Sequence, residues 1–209
     1  MPLVYQQNIN LTTKLGVWHI IEQETFFLQK VQVQRNIHHP QKRLQHLAGR
    51  YLLQTLFPNF PHQLILVADT KKPFLVNDPF HFSISHCESY AAAIVSTDSR
   101  VGIDVEVFST KPMLLVHKFL NDWEQQLFLN NTNTVSLPTL YTCAWSIKET
   151  LYKWYGAGSV DFKKHLHINT VVFNDNEGLA NCTFLKEANI PIQVRFLLFN
   201  NNCISWLVH

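Results

Sequence analysis

The segment Val101–Val107, VGIDVEV, limits the folds open to this chain more than any other. It is an apolar run that reads as a buried or half-buried strand, yet it carries two acids two residues apart. In a strand, residues i and i+2 share a face. Asp104 and Glu106 therefore point one way, and Ile103, Val105 and Val107 the other. Two carboxylates that close repel unless something positive lies between them or one takes up a proton. A hard divalent cation such as Mg²⁺ would meet that need, because it takes oxygen ligands and binds through one or two carboxylates plus phosphate oxygens. Taken alone, the spacing also fits a strand with one solvent-facing acidic side, which is the commoner case.

A second constraint comes from Trp145–Trp154, WSIKETLYKW. Leu140, Ala144, Ile147, Leu151 and Trp154 recur at helical spacing and form an apolar stripe. Trp145, Lys148, Glu149, Tyr152 and Lys153 fall on the rest of the helix surface. Glu149 and Lys153, one turn apart, read either as an exposed ion pair or as a third carboxylate for the metal with a lysine beside it for a phosphate. A third element is FSISHC, Phe82–Cys87. Ser85 and His86 are neighbours in a strand and point to opposite faces, so they do not form a simple nucleophile–base pair, and no GxSxG surrounds them.

The remaining pattern is that of an α+β chain. Of 209 residues, 46% are hydrophobic and 15% charged, enough apolar material for a large core and too little charge for a disordered chain. A net charge of +2 is too small to argue for nucleic-acid binding. Cys87, Cys143, Cys182 and Cys203 have no CxxC spacing and read as reduced thiols, favouring a cytoplasmic setting. No signal-peptide pattern is visible at the start, and the longest aliphatic run, Leu64–Ala68, is far too short for a membrane span. Strands are expected at Val17–Ile21, within HFSIS and AAAIV, and at VGIDVEV. Helices are expected at Gln41–Phe57, at Lys111–Asn130 with a break near Asn121, and at Thr139–Tyr155, ended by the GAG of Gly156–Gly158. Four strands are expected in His165–Val208. The best division of the chain is near Glu106–Lys111, giving halves of 1–107 and 108–209.

In order, the pieces KP, FSISH, VGIDVE and WSIKETLYKWYGAG resemble the 4′-phosphopantetheinyl transferase superfamily. Its pattern runs GKP, FN[IV]SHS, [VI]G[IV]D[IV]E and WxxKE[AS]xxKxxGxG. The matches cover Lys72–Gly158, less than half of the chain, and the length resembles the larger, monomeric Sfp-like branch. The resemblance implies a pseudo-dimer of two similar α/β halves within one chain, with the active site in the cleft between them. It implies Mg²⁺-dependent transfer of the phosphopantetheine arm of coenzyme A to a serine of an acyl or peptidyl carrier protein, releasing adenosine 3′,5′-bisphosphate.

By motif position, Asp104, Glu106 and Glu149 would hold Mg²⁺, with Asp104, Glu149 and Lys153 catalytic. Glu149 is the candidate base and Lys153 the group that stabilises or protonates the leaving group. Lys72, Ser85 and His86 match coenzyme A contacts. Arg43 and Arg50 are the candidates for the 3′-phosphate, and Lys148, a motif residue whose role is less clear from chemistry alone, is placed with the coenzyme A-binding residues. Trp145 is expected to pack and position the helix. Glu124 matches either an acid between the two main motifs or a solvated helix residue.

The departures from the pattern are Ser83 for asparagine, Cys87 for serine, Lys71 for the glycine before Lys-Pro, and Ser159-Val160 where a leucine usually follows GxG. None removes a carboxylate. Two other readings use the same residues: a non-catalytic module that binds coenzyme A or a carrier, and a Mg²⁺-dependent hydrolase of coenzyme A with water as nucleophile. The expected partners exclude nucleic acid and membrane. The sequence does not name the carrier, the pathway or the preferred metal.

Overall fold

Short runs of β-branched and aromatic residues become strands, and the two longest apolar stripes become the helices that cover them. The structure is a computed structural model and describes residues 2–32 and 37–209. The chain divides into two compact units, Met1–Val101 and Gly102–His209.

The first unit contains β1 (Leu3–Asn8), β2 (Thr13–His19), α1 (Glu24–Leu28), α2 (Pro40–Leu56), β3 (Leu66–Val67), β4 (Pro73–Phe74), β5 (His81–Cys87) and β6 (Tyr90–Ser96). An antiparallel sheet ordered β1-β2-β6-β5 carries α2 on one face. Leu47, Ala48, Leu52 and Leu56 of α2 lie inside, while Leu44 and Tyr51 are partly buried at the edge of the same core. The expected strand at Val17–Ile21 begins earlier, at Thr13, because Thr13–His19 pairs residue by residue with β6. That pairing joins segments far apart in sequence, so no local pattern reports it.

The second unit runs β7 (Val101–Val107), α3 (Lys111–Phe119), α4 (Asp122–Leu129), α5 (Leu137–Tyr155), α6 (Phe162–His165), β8 (Leu166–Asn174), β9 (Glu177–Phe184), β10 (Ile190–Phe199) and β11 (Asn202–Val208). Strands β8 to β11 form an antiparallel meander, with β7 beside β11. The expected break near Asn121 is a capping box. Asn121 Oδ1 accepts from the Glu124 N–H at 2.9 Å, and Glu124 Oε2 accepts from the Asn121 N–H at 2.9 Å. Helix α5 has Pro138 in its first turn and stops at Gly156, whose φ of 71° is the left-handed cap that glycine adopts without strain. The four expected tail strands are present. The short elements α1, β3, β4 and α6 fell below what periodicity resolves, and β1, LVYQQN, has no apolar alternation in its sequence to mark it. Among the described residues, no helix is long and apolar enough to cross a membrane, and all four cysteines are buried thiols.

One close approach places the site. Leu140, Ala144, Ile147, Leu151 and Trp154 of α5 pack into a core with Leu166, Ile168, Val194 and Phe196. At Gly102 the helix backbone comes so near to β7 that a Cβ there would lie 2.4 Å from the Thr150 carbonyl oxygen and 3.0 Å from Trp154 Cβ. A missing side chain therefore sets the spacing between the strand bearing Asp104 and the helix bearing Glu149. Gly102→Ala should push α5 off β7, because the obstructing atom is backbone and cannot swing away. The expected loss is about 1–3 kcal/mol of stability, read as a lower urea midpoint. An unchanged midpoint would show that the two elements are not held at this distance.

Candidate active site

Strand β7 and helix α5 bring two separate sequence segments onto one site in the second unit. Asp104 is 2% exposed, so the alternative of a solvent-facing acid does not hold for it. The strand is buried on both faces at this point, with Ile103 and Val105 also fully inside. The charge of Asp104 is met by Lys153, whose Nζ donates to Asp104 Oδ1 at 2.6 Å across 49 residues of sequence. Lys153 thus reaches across to the strand, beyond its helical neighbour Glu149. Glu106 accepts a hydrogen bond from the Trp145 indole N–H at 3.2 Å. Trp145 also packs edge-on to Phe119 and stacks on Phe162, so it both packs and holds a carboxylate.

The electrostatics follow from this crowding. Burial, then the nearby Asp104 charge, push Glu106 up to about 7, against the pull of the Trp145 hydrogen bond and of Lys153; Glu149 adds to the push. Burial and Asp104 likewise push Glu149 up to about 7, and Lys153 opposes them. An ammonium and retained protons therefore balance the three acids. The donor set is all carboxylate oxygen and suits a hard divalent cation, and the Lys153 ammonium already stands as a cation against Asp104. Among the described residues, no group of three or more His, Cys, Asp or Glu side chains is gathered as a ready metal cage. The three acids share a field without converging on one point.

Lys148 lies elsewhere. The helix-surface position expected for it is wrong: its side chain is 0% exposed. Its Nζ donates to Glu124 Oε1 at 2.5 Å, to the Phe162 carbonyl at 3.0 Å and to the Leu166 carbonyl. Burial lowers its pKa, and the facing Glu124 opposes this. These contacts occupy the three donors of an ammonium, so Lys148 is not presented to a cofactor. Glu124 is also 0% exposed and is not a solvated helix residue. The polar character of both residues hid this pairing, since Lys and Glu are almost never fully buried unless paired.

The first unit carries its own basic pocket of about 360 Å³. Lys42, His46 and Arg50 of α2 line it with Lys71 and with His86 of β5, between walls that include Ile37, Val67 and Ile84. Arg50 Nη1 lies 3.1 Å from His46 Nδ1. Of the expected coenzyme A contacts, Arg50 and His86 line this pocket. Ser85 is buried on the opposite face of β5. Arg43 instead pairs with Glu24 at 2.7 Å, tying α1 to α2. Lys72 sits beside the pocket rather than on its lining; burial lowers its pKa, with Arg100 adding and Asp78 opposing. Three contributors were missed: Lys42, His46 and Lys71. Lys42, His46 and Arg50 recur every fourth residue, a one-face signature on a helix that was open to reading. Lys71 adopts φ 67° in the turn before β4, the conformation that a glycine takes freely.

Comparison with known proteins agrees with the second unit in particular. Residues 100–203 match the model of the 4′-phosphopantetheinyl transferase superfamily. The chain is 30% identical over 112 residues to enterobactin synthase component D of Salmonella austin, covering 54% of this chain and 47% of that protein. It is 25% identical over 141 residues to the L-aminoadipate-semialdehyde dehydrogenase-phosphopantetheinyl transferase of Candida glabrata, covering 64% of this chain and 51% of that protein. The chain thus spans about half the length of the curated relatives it matches.

The two raised glutamates predict how the metal-free protein responds to pH. An isolated glutamate ionises near 4.5, whereas these hold protons to about 7. The folded state then binds more protons than the unfolded chain between those values, so their contribution to stability is fully present below about 4.5 and is lost as pH rises through about 7. The Tm of the metal-free protein should fall over that window relative to Glu106→Gln/Glu149→Gln. Parallel profiles for the two proteins would mean that neither glutamate is held protonated.

Proposed function

We propose that this chain, which through residues 100–203 belongs to the 4′-phosphopantetheinyl transferase superfamily, transfers the 4′-phosphopantetheine group of coenzyme A to a serine of an acyl or peptidyl carrier protein. The observation that carries this reading is the Lys153–Asp104 bond. It joins the DxE strand to the WxxKE helix, so that Glu106 and Glu149 stand in the field of Asp104 with a lysine beside it.

In this reading Asp104, Glu106 and Glu149 hold a divalent cation, Mg²⁺ by their oxygen donors. When bound, that ion neutralises the acids and stabilises charge on the pyrophosphate. The carrier serine Oγ attacks the β-phosphorus of coenzyme A. The bond from that phosphorus to the bridging oxygen breaks, and adenosine 3′,5′-bisphosphate leaves. Glu149 takes the serine proton, the general-base role open to a carboxylate held at the reacting phosphate. Lys153 meets the charge that develops on the leaving phosphate.

The basic pocket of the first unit takes the phosphorylated nucleotide end through Arg50, Lys42, Lys71 and His86. A groove of about 680 Å³ in the second unit has apolar walls at Phe119, Trp145, Val160 and Phe162, with Lys118, Lys163 and Lys164 beside them. Its lysines suit the acidic surface of a carrier. A cytoplasmic, monomeric protein completes the reading.

The test is intact-mass spectrometry of an apo carrier incubated with the protein, coenzyme A and Mg²⁺. The carrier should gain one phosphopantetheine group, and chelating the metal should prevent this. No gain with coenzyme A bound but intact would favour a binding module, and coenzyme A consumed without transfer a hydrolase. Asp104→Ala and Glu149→Ala should each abolish transfer while the protein stays folded by circular dichroism. Arg50→Ala should raise the KM for coenzyme A at least tenfold with a much smaller change in kcat. The opposite split would move Arg50 out of the nucleotide pocket.

A further inference from the structure

We propose that Glu124 and Lys148 form a buried positioning pair that aims the reactive carboxylates Glu106 and Glu149. Its kinetic consequences rest on the transferase reading, while its structural ones do not.

Stability alone does not account for this pair. Both side chains are 0% exposed, and replacing a buried ion pair with well-packed hydrophobic residues of similar volume is often neutral or stabilising. What the pair does supply is a meeting point for four segments. Lys148 comes from the middle of α5, and Glu124 from the first turn of α4. Glu124 Oε1 accepts from both Lys148 Nζ and the Ile168 N–H, the latter at 2.8 Å on β8, and its Oε2 closes the cap on Asn121. The remaining Lys148 donors go to the carbonyls of Phe162, in α6, and Leu166, in β8.

Two lines lead from this node to the reactive acids. Lys148 and Glu149 are adjacent on α5, about 100° apart around its axis. Holding Lys148 inward therefore sets the roll of the helix, and that roll aims Glu149 and Lys153 toward β7. The second line runs through Phe162. Lys148 holds its carbonyl, its ring stacks on Trp145 with centroids 5.6 Å apart, and the Trp145 indole N–H donates to Glu106 at 3.2 Å. One charge pair thus stands behind both glutamates without touching either.

The test compares wild type with Glu124→Gln/Lys148→Met, which removes both charges together and so leaves neither stranded. Urea unfolding checks stability. The Trp145 indole N–H resonance, identified among the five tryptophans through Trp145→Phe, reports the Glu106 hydrogen bond directly. The double variant should be folded, show a displaced indole resonance, and lose at least tenfold in kcat with the KM for coenzyme A within twofold. If it does not fold, Glu124→Asp is measured in the same way, since it keeps the charge and shortens its reach by one methylene. A displaced resonance is again expected. An unmoved indole resonance with wild-type kcat in the folded variant would overturn the proposal and leave the pair a purely structural contact. If the wild type transfers nothing, the transferase reading falls, and the resonance alone still decides the positioning role.

Discussion

The second unit is organised around an acid in its interior. Asp104 sits on a strand buried on both faces, and an ionised carboxylate there is costly unless it is paired. Lys153 supplies the partner, and it can do so only because α5 runs directly against β7 at Gly102. That contact draws Glu149 into the field of Asp104. With Glu106 two residues along the same strand, the acids exceed the available positive charge, and two of them keep protons to about pH 7. A strand carrying excess acid is a poor structural element and a suitable one for receiving a cation and a phosphate.

The same helix uses its charged residues in two ways. Lys153 faces β7 and answers Asp104, whereas Lys148 faces the interior and answers Glu124. Both lysines belong to one short motif, and five residues around a helix separate their directions. The motif therefore combines a cation that answers the acid of β7 with a buried one that ties α4, α6 and β8 to the helix. Trp145, at the start of the motif, joins the two functions by packing on Phe162 and donating to Glu106.

Much of this was open to reading in the chain. The alternation in VGIDVEV placed Asp104 and Glu106 on one face, and the stripe through Ile147 and Leu151 showed one buried side of α5, though Ser146, Lys148 and Thr150 off that stripe are buried as well. Asn121 and Gly156 marked helix ends through their own capping chemistry. The basic residues of the first unit were harder to sort. Arg43 and Arg50 lie seven residues apart on one helix, yet Arg43 pairs with Glu24 on α1 while Arg50 lines a pocket with His86 on β5. Helical spacing ranks the faces of α2, but it does not say which neighbouring element covers each face. Lys148 and Glu124 show the same limit more sharply, since two polar residues 24 positions apart give no local sign that each removes the other from water.

The sequence by itself determined the chemistry: three carboxylates and a lysine in two segments whose periods, two and 3.6, set the face on which each would stand. Only the tertiary structure decided which charges meet. Pairing across 49 residues for Asp104 and Lys153, and across 24 for Glu124 and Lys148, depends on how closely helix and strand backbones approach and on what water they exclude. Those quantities belong to the packed core, and no local run of residues contains them.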